Sequence, residues 1–264
     1  MTAEVIGCQG HFRFNLRRMV EMPRRAGVPL LLVNPVANLR DCPPFKTQHG
    51  DGLTPDDLKR WKAHVSEAAE HEATNMYQAA MVLEETRKID DQHAGLHYLL
   101  AKCYDASGMT DQAHRAYLEA KELDICPLRI LKPMNQAVLD VARESGTPLV
   151  DVRKLFEARS DSGIPGGYLL LDHVHPSIPG HQLIANALAA EMVRLGFVDP
   201  APDWPQRREL KFAEHLGSLG DLYFSRGLER LERLRCWTQG KGNRIRGSSN
   251  TGDQPLDHES KGSF

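Results

Sequence analysis

The sequence predicts an α/β protein whose parallel sheet is interrupted by an all-helical insertion. Three observations lead there. A helical pattern, a glycine turn and a continuous apolar run follow one another at residues 12–33, and the same order returns at 133–152. Between them, from about Thr54 to Asp124, no stretch reads as a strand. Helix, tight turn and buried strand form one half of an α/β repeat, so two such units bracket something different.

The first unit opens with Phe12, Leu16, Met19 and Val20 at helical spacing, which predicts a helix from about Phe12 to Arg25 with arginines on its other face. Gly27 is placed to cap it. Val28 to Val33 then reads as a parallel strand buried on both faces, broken by Asn34-Pro35. In the second unit Pro133 opens a helix with Val138, Val141 and Ala142 on one face, Gly146 stops it, and Pro148 to Val152 reads as a strand.

After Val152 the pattern predicts a short helix around Lys154 to Ala158 and a turn-rich loop from Ser160 to Gly167. Next come a strand-like run, Tyr168 to Asp172, and the loop Asp172-His173-Val174-His175-Pro176. An amphipathic helix from about Pro179 to Leu195 follows, with Ile184, Ala187, Leu188, Met192 and Leu195 as its stripe and Gly196 as its cap. Pro200 to Pro205 reads as a linker, Glu209 to Arg235 as one charged helix, and Gly240 to Phe264 as a polar, aperiodic tail expected to be disordered.

Composition narrows the function classes. Of 264 residues, 41% are hydrophobic and 26% charged, with a formal net charge of -2, enough for a core and too balanced for a general affinity for nucleic acid or anionic membranes. No apolar run approaches the ~20 residues that span a bilayer, and Met1 to Gln9 carries neither a basic nor an apolar leader region, so a cytoplasmic chain without a membrane segment is expected. The cysteines, at 8, 42, 103, 126 and 236, form no CxxC pair and are expected to be reduced and structural.

Within the helical segment, an offset of 34 residues aligns Ala79 with Ala113, Leu83 with Tyr117, and Asp90 with Asp124. That period and the positions of Leu100, Ala101, Tyr104, Gly108, Ala113, Tyr117 and Ala120 resemble the tetratricopeptide repeat, with a weaker copy that has Trp61 near its start. About two repeats fit, fewer than a free array needs, so the segment is expected to lean on the α/β part. The resemblance implies a groove for a protein or peptide partner.

The spacing Asp172-x-x-His175, between a strand-like run and a helix, has a direct chemical use. An imidazole titrating near neutrality can take a proton from a serine hydroxyl, and a carboxylate on the same tight loop can orient it. Here the sequence resembles the SGNH/GDSL hydrolases, whose last motif is DxxH before the C-terminal helix. The unit ending Asn34-Pro-Val-Ala-Asn38-Leu-Arg-Asp41, the helical insertion and the DHVHP loop, in that order, resemble a branch of that family carrying tetratricopeptide repeats. The resemblance implies a partial three-layer, flavodoxin-like parallel sheet, His175 as general base, Asp172 as its partner, a small-molecule ester substrate and no metal or organic cofactor. It covers residues 10–50 and 129–197 plus the insertion, and corresponds to the C-terminal part of such an enzyme. The chain contains no Gly-[Asp/Glu]-Ser, so the nucleophile is expected outside it and this chain alone is expected to be inactive.

Serines within the chain are poor substitutes, since Ser160, Ser162 and Ser177 lie on no strand-to-helix elbow. Asn34 ends a buried strand, where ligands gather in parallel sheets, and is a candidate for lining the pocket; capping the strand is its alternative role. His93 and His97 are spaced for a shared metal but lack a third ligand, and packing is the better reading. The cationic run Arg226 to Arg235 with Lys241, Arg244 and Arg246 is interrupted by Glu229 and Glu232 at ion-pair spacing, which points to a solvated helix and not to nucleic acid. These readings divide the chain into an α/β part at 1–50, the insertion at 51–128, the rest of the α/β part at 129–198, a linker and charged helix at 199–239, and the tail at 240–264.

Overall fold

The computed structural model describes residues 3–72 and 74–238, in which ten α-helices accompany one small parallel sheet. The described residues fall into two compact units divided between Phe212 and Ala213.

In the first unit α1 (Ala3–Arg25) is longer than its apolar pattern and packs on α6 (Lys132–Ser145). Arg17 pairs with Glu144 at 2.8 Å, and Arg13 reaches Asp140 at 3.6 Å. Gly27, at φ 66°, ends α1 in the left-handed conformation that glycine tolerates without cost. Gly146, at φ 68°, does the same for α6.

The strands are shorter than expected. β1 (Leu32–Asn34) and β2 (Leu149–Asp151) pair in parallel, with Leu32 opposite Leu149, Val33 opposite Val150 and Asn34 opposite Asp151. Val28 is 55% exposed and Val33 38%, so the expectation of a strand buried on both faces is corrected. Burial on both faces requires neighbouring strands and covering helices, and the described residues supply only two strands. The segment 168–172 is not a strand either: it makes one antiparallel bridge, Leu170 to Pro176, because it folds back on its own loop. What holds it is Phe156, Leu169, Leu170, Val150 and Val152 packed under Leu183, Ile184, Ala187 and Leu188 of α8 (Ile178–Arg194).

Between the strands lie α2 (Pro55–Glu72), α3 (Met76–Arg87), α4 (Ala94–Ala106) and α5 (Thr110–Glu122), each packed on the next. The 34-residue offset superimposes α3 on α5, and the small residues Ala79, Ala101 and Ala113 are fully buried between helices. Leu39 and Ile164, from loops of the α/β part, enter this helical core. Each buried side chain of that size contributes about 1.5–3 kcal/mol, so these two contacts fasten the helices to the loops that carry them. A short helix α7 (Val152–Glu157) starts directly on β2, with Asp151 accepting from the Lys154 amide as N-cap.

The charged helix expected at 209–235 is two helices, α9 (Trp204–Ser218) and α10 (Asp221–Thr238), with Gly220 between them. On α10, Arg233 and Glu229 approach to 3.9 Å at i,i+4 spacing. The tail expected to be disordered, with Lys241, Arg244 and Arg246, lies outside the described residues.

Candidate active site

The DHVHP loop is tied by its own backbone. Leu171 N–H donates to the His175 carbonyl at 2.8 Å and Ser177 N–H to the Leu169 carbonyl at 2.9 Å, closing a tight reversal before α8. Asp172 is buried within it and its Oδ1 accepts from the backbone amides of Val174 (2.9 Å) and His175 (2.8 Å). Its other oxygen, Oδ2, lies 2.8 Å from His175 Nδ1. Sequence spacing therefore brings the two predicted residues into contact.

An ionised carboxylate only accepts, so in the neutral imidazole Nδ1 carries the proton and Nε2 keeps its lone pair. The His175 side chain is 72% exposed and that of Asp172 10%, which leaves the ring open to an incoming group while its orienting partner is enclosed. Burial raises the Asp172 carboxyl, but the two backbone amides and His175 outweigh it and hold the group below the ordinary carboxylate range. The dyad is thus ionised on the Asp side at neutral pH.

A second loop, which sequence reasoning treated only as part of a resemblance, fixes the first. Asn38 N–H donates to the His173 carbonyl at 3.0 Å, and His173 Nε2 to the Pro43 carbonyl at 3.3 Å. Arg129, almost fully buried, donates to the carbonyls of Asn38 (3.0 Å) and Cys42 (2.8 Å), with Asp124 3.8 Å away. Leu39 and Arg40 amides both reach the Pro165 carbonyl, at 2.9 and 3.2 Å. Arg40 in turn forms a two-pronged pair with Asp105 of α4, at 2.7 and 3.0 Å. The helical insertion is thus wired to the loop that holds the dyad. Buried Asn and Arg positions in a loop are legible as special only once their burial is known.

Two of the three serines considered, Ser177 and Ser160, are committed elsewhere. Ser177 caps α8, donating to the Tyr168 carbonyl at 2.7 Å and accepting from Gly180 N–H, and Ser160 donates to Phe156 at 2.7 Å. Ser162 occupies a left-handed turn at φ 55°. Among the described residues, Asp172 is the ring partner of His175.

Asn34 is fully buried; it donates to Asp151 Oδ1 at 3.0 Å and accepts from Asn135 Nδ2 at 2.8 Å, so its amide staples the ends of β1 and β2 to α6. His93 caps α4, accepting from Leu96 N–H, and His97 bonds the Asp91 carbonyl at 2.7 Å. Among the described residues no group of three or more His, Cys, Asp or Glu side chains could hold a metal ion. No described helix is long and apolar enough to cross a membrane. No family model, curated protein or solved structure matches this chain.

Proposed function

We propose that this chain carries the acid–base end of an SGNH-type ester hydrolase site, with His175 as general base and acid and Asp172 as its orienting partner. The observation that carries the reading is the 2.8 Å contact between Asp172 Oδ2 and an exposed His175 ring, with the other carboxylate oxygen held by two backbone amides. In such a site Nε2 takes the proton of a serine hydroxyl as its oxygen attacks the ester carbonyl. It then gives that proton to the departing alkoxide, and repeats the cycle with water to release the acid. The serine comes from outside these residues, on a Gly-Asp-Ser segment of the kind the resemblance implies.

The test starts from the coding region upstream of the Met1 codon. A Gly-Asp-Ser segment encoded there and expressed with this chain should hydrolyse p-nitrophenyl butyrate, and His175→Ala should abolish the rate. Hydrolysis that survives His175→Ala, or the absence of any encoded Gly-Asp-Ser segment together with hydrolysis by this chain alone, overturns the reading.

A further inference from the structure

Away from the dyad, a cavity of about 360 Å³ opens where the last helix of the insertion meets the α/β part. Its walls are α5, α6, α7 and the loop that follows β1; neither Asp172 nor His175 lines it. The volume falls at the lower end of the ~300–1,000 Å³ typical of small-molecule sites.

Its chemistry is two-sided. Val36, Leu39, Leu118 and Leu139 give it an apolar floor. Around them stand four cations, Arg115, Lys121, Lys132 and Arg153, and three carboxylates, Glu119, Glu122 and Glu157. Two of the carboxylates are already matched: Glu122 pairs with the buried Lys121, and Glu157 lies 3.0 Å from Arg153. Glu122 also accepts from the Lys132 backbone amide, at 2.9 Å, so it is enclosed on both sides. Arg115 and Lys132 are exposed and, among the described residues, have no carboxylate partner, and the Arg153 Nε is buried without an acceptor. Against these stands the exposed Glu119 alone, so the unmatched charge at the mouth is positive.

An apolar floor under a cationic mouth suits an amphiphilic anion. We propose that this cavity binds a medium-chain carboxylate, with its hydrocarbon tail on Val36, Leu39, Leu118 and Leu139 and its head group between Arg115 and Lys132. Cation and tail act together: the tail alone gains area burial in any apolar pocket, whereas the carboxylate gains charge-assisted hydrogen bonds that a neutral or cationic head cannot make. The proposal is independent of the hydrolase reading, because no residue of the dyad takes part.

Isothermal titration calorimetry of the full chain with octanoate, octan-1-ol and octyltrimethylammonium tests it, each probe kept below its micelle-forming concentration. Octanoate should bind at one saturable site, with the alcohol and the cation at least about tenfold weaker, since one charge-assisted contact corresponds to roughly that factor. The double variant R115E/K132E, on exposed side chains, should weaken octanoate by at least about tenfold and remove the discrimination against the cation. Should the charge reversal unfold the chain, R115Q and K132Q serve instead, each expected to weaken octanoate severalfold. Methyl resonances of Leu118 and Leu139 should shift on titration. No octanoate binding, equal affinity for all three probes, unchanged affinity in the variants, or methyl shifts confined to other leucines would overturn the proposal.

Discussion

Asp90 and Asp124, 34 residues apart, make matching turns and hold the two ends of one loop. Each accepts from the backbone amide two residues on, Gln92 at 3.0 Å and Cys126 at 3.0 Å. Each also reaches across to the segment 45–50: Asp124 accepts from the Phe45 and Lys46 amides at 2.7 and 3.1 Å, and Asp90 from Gly50 N–H at 3.3 Å and the His49 ring at 2.7 Å. The periodic positions of the insertion therefore bind a segment of the same chain. Any partner peptide seeking those carboxylates would have to displace it.

The two aspartates should differ in cost when removed. Asp90→Ala leaves His49, 31% exposed, to be hydrated and should cost about 1–3 kcal/mol. Asp124→Ala also strands Arg129, whose side chain is 1% exposed, and should cost about 3–5 kcal/mol. Urea unfolding of the two variants checks the order; equal losses would contradict it.

Gly180 is a packing requirement. A Cβ there would overlap the Leu169 carbonyl oxygen, which is backbone and cannot swing aside. Gly180→Ala should destabilise by about 1–3 kcal/mol and displace the loop that carries the dyad. The expected signature is a shifted His175 Nδ1 proton resonance together with a lower unfolding midpoint.

Asp172→Asn removes the acceptor that selects the His175 tautomer. Nitrogen chemical shifts of His175 at neutral pH should move from the Nδ1-protonated form toward a mixture, while stability changes little beyond the loop's own hydrogen bonds. In a complex that supplies the nucleophile, kcat should fall by about 10⁴-fold, the scale known for the equivalent change in a serine triad. An unchanged tautomer would show that Asp172 does not orient the ring.

Acid sensitivity should come from two histidines. Burial holds His173 below the ordinary histidine range, reinforced by the charge of Arg129; burial and then His49 do the same to His93. The folded state resists protonating them, so the unfolded chain binds more protons as pH falls past ~6.5, the unperturbed value. Their contribution is complete above that pH and is lost as pH falls through it toward the depressed folded values. Melting temperature should be flat above about pH 7 and decline below ~6.5, less steeply in His173→Gln.

Much of this was readable beforehand, for reasons that differ by element. Helices announce themselves through local patterns, so Pro133, Gly146, Pro179 and Gly196 marked termini within a residue or two. The Asp172–His175 contact was readable because three residues on a tight loop leave the side chains little choice. Strand extent was not, since burial of Val28 and Val33 depends on neighbours that local sequence does not describe. Nor were the partners of Asn34, because Asp151 and Asn135 reach it from 117 and 101 positions away along the chain. Gly220, the break between α9 and α10, lies inside a charge pattern that runs through it.

The register of Leu32 with Leu149 also sets an order of events for the chain. Asn34 and Asp151, bonded at the strand ends, are 117 positions apart, and closing so long a span loses entropy before any contact rewards it. Helices α2 to α5, each packed on its successor, form from near neighbours and draw those distant ends together. The strand pair should therefore be the last native feature to assemble and the first to open. Amide exchange at Leu32 and Val33 should outpace that in α4 by orders of magnitude.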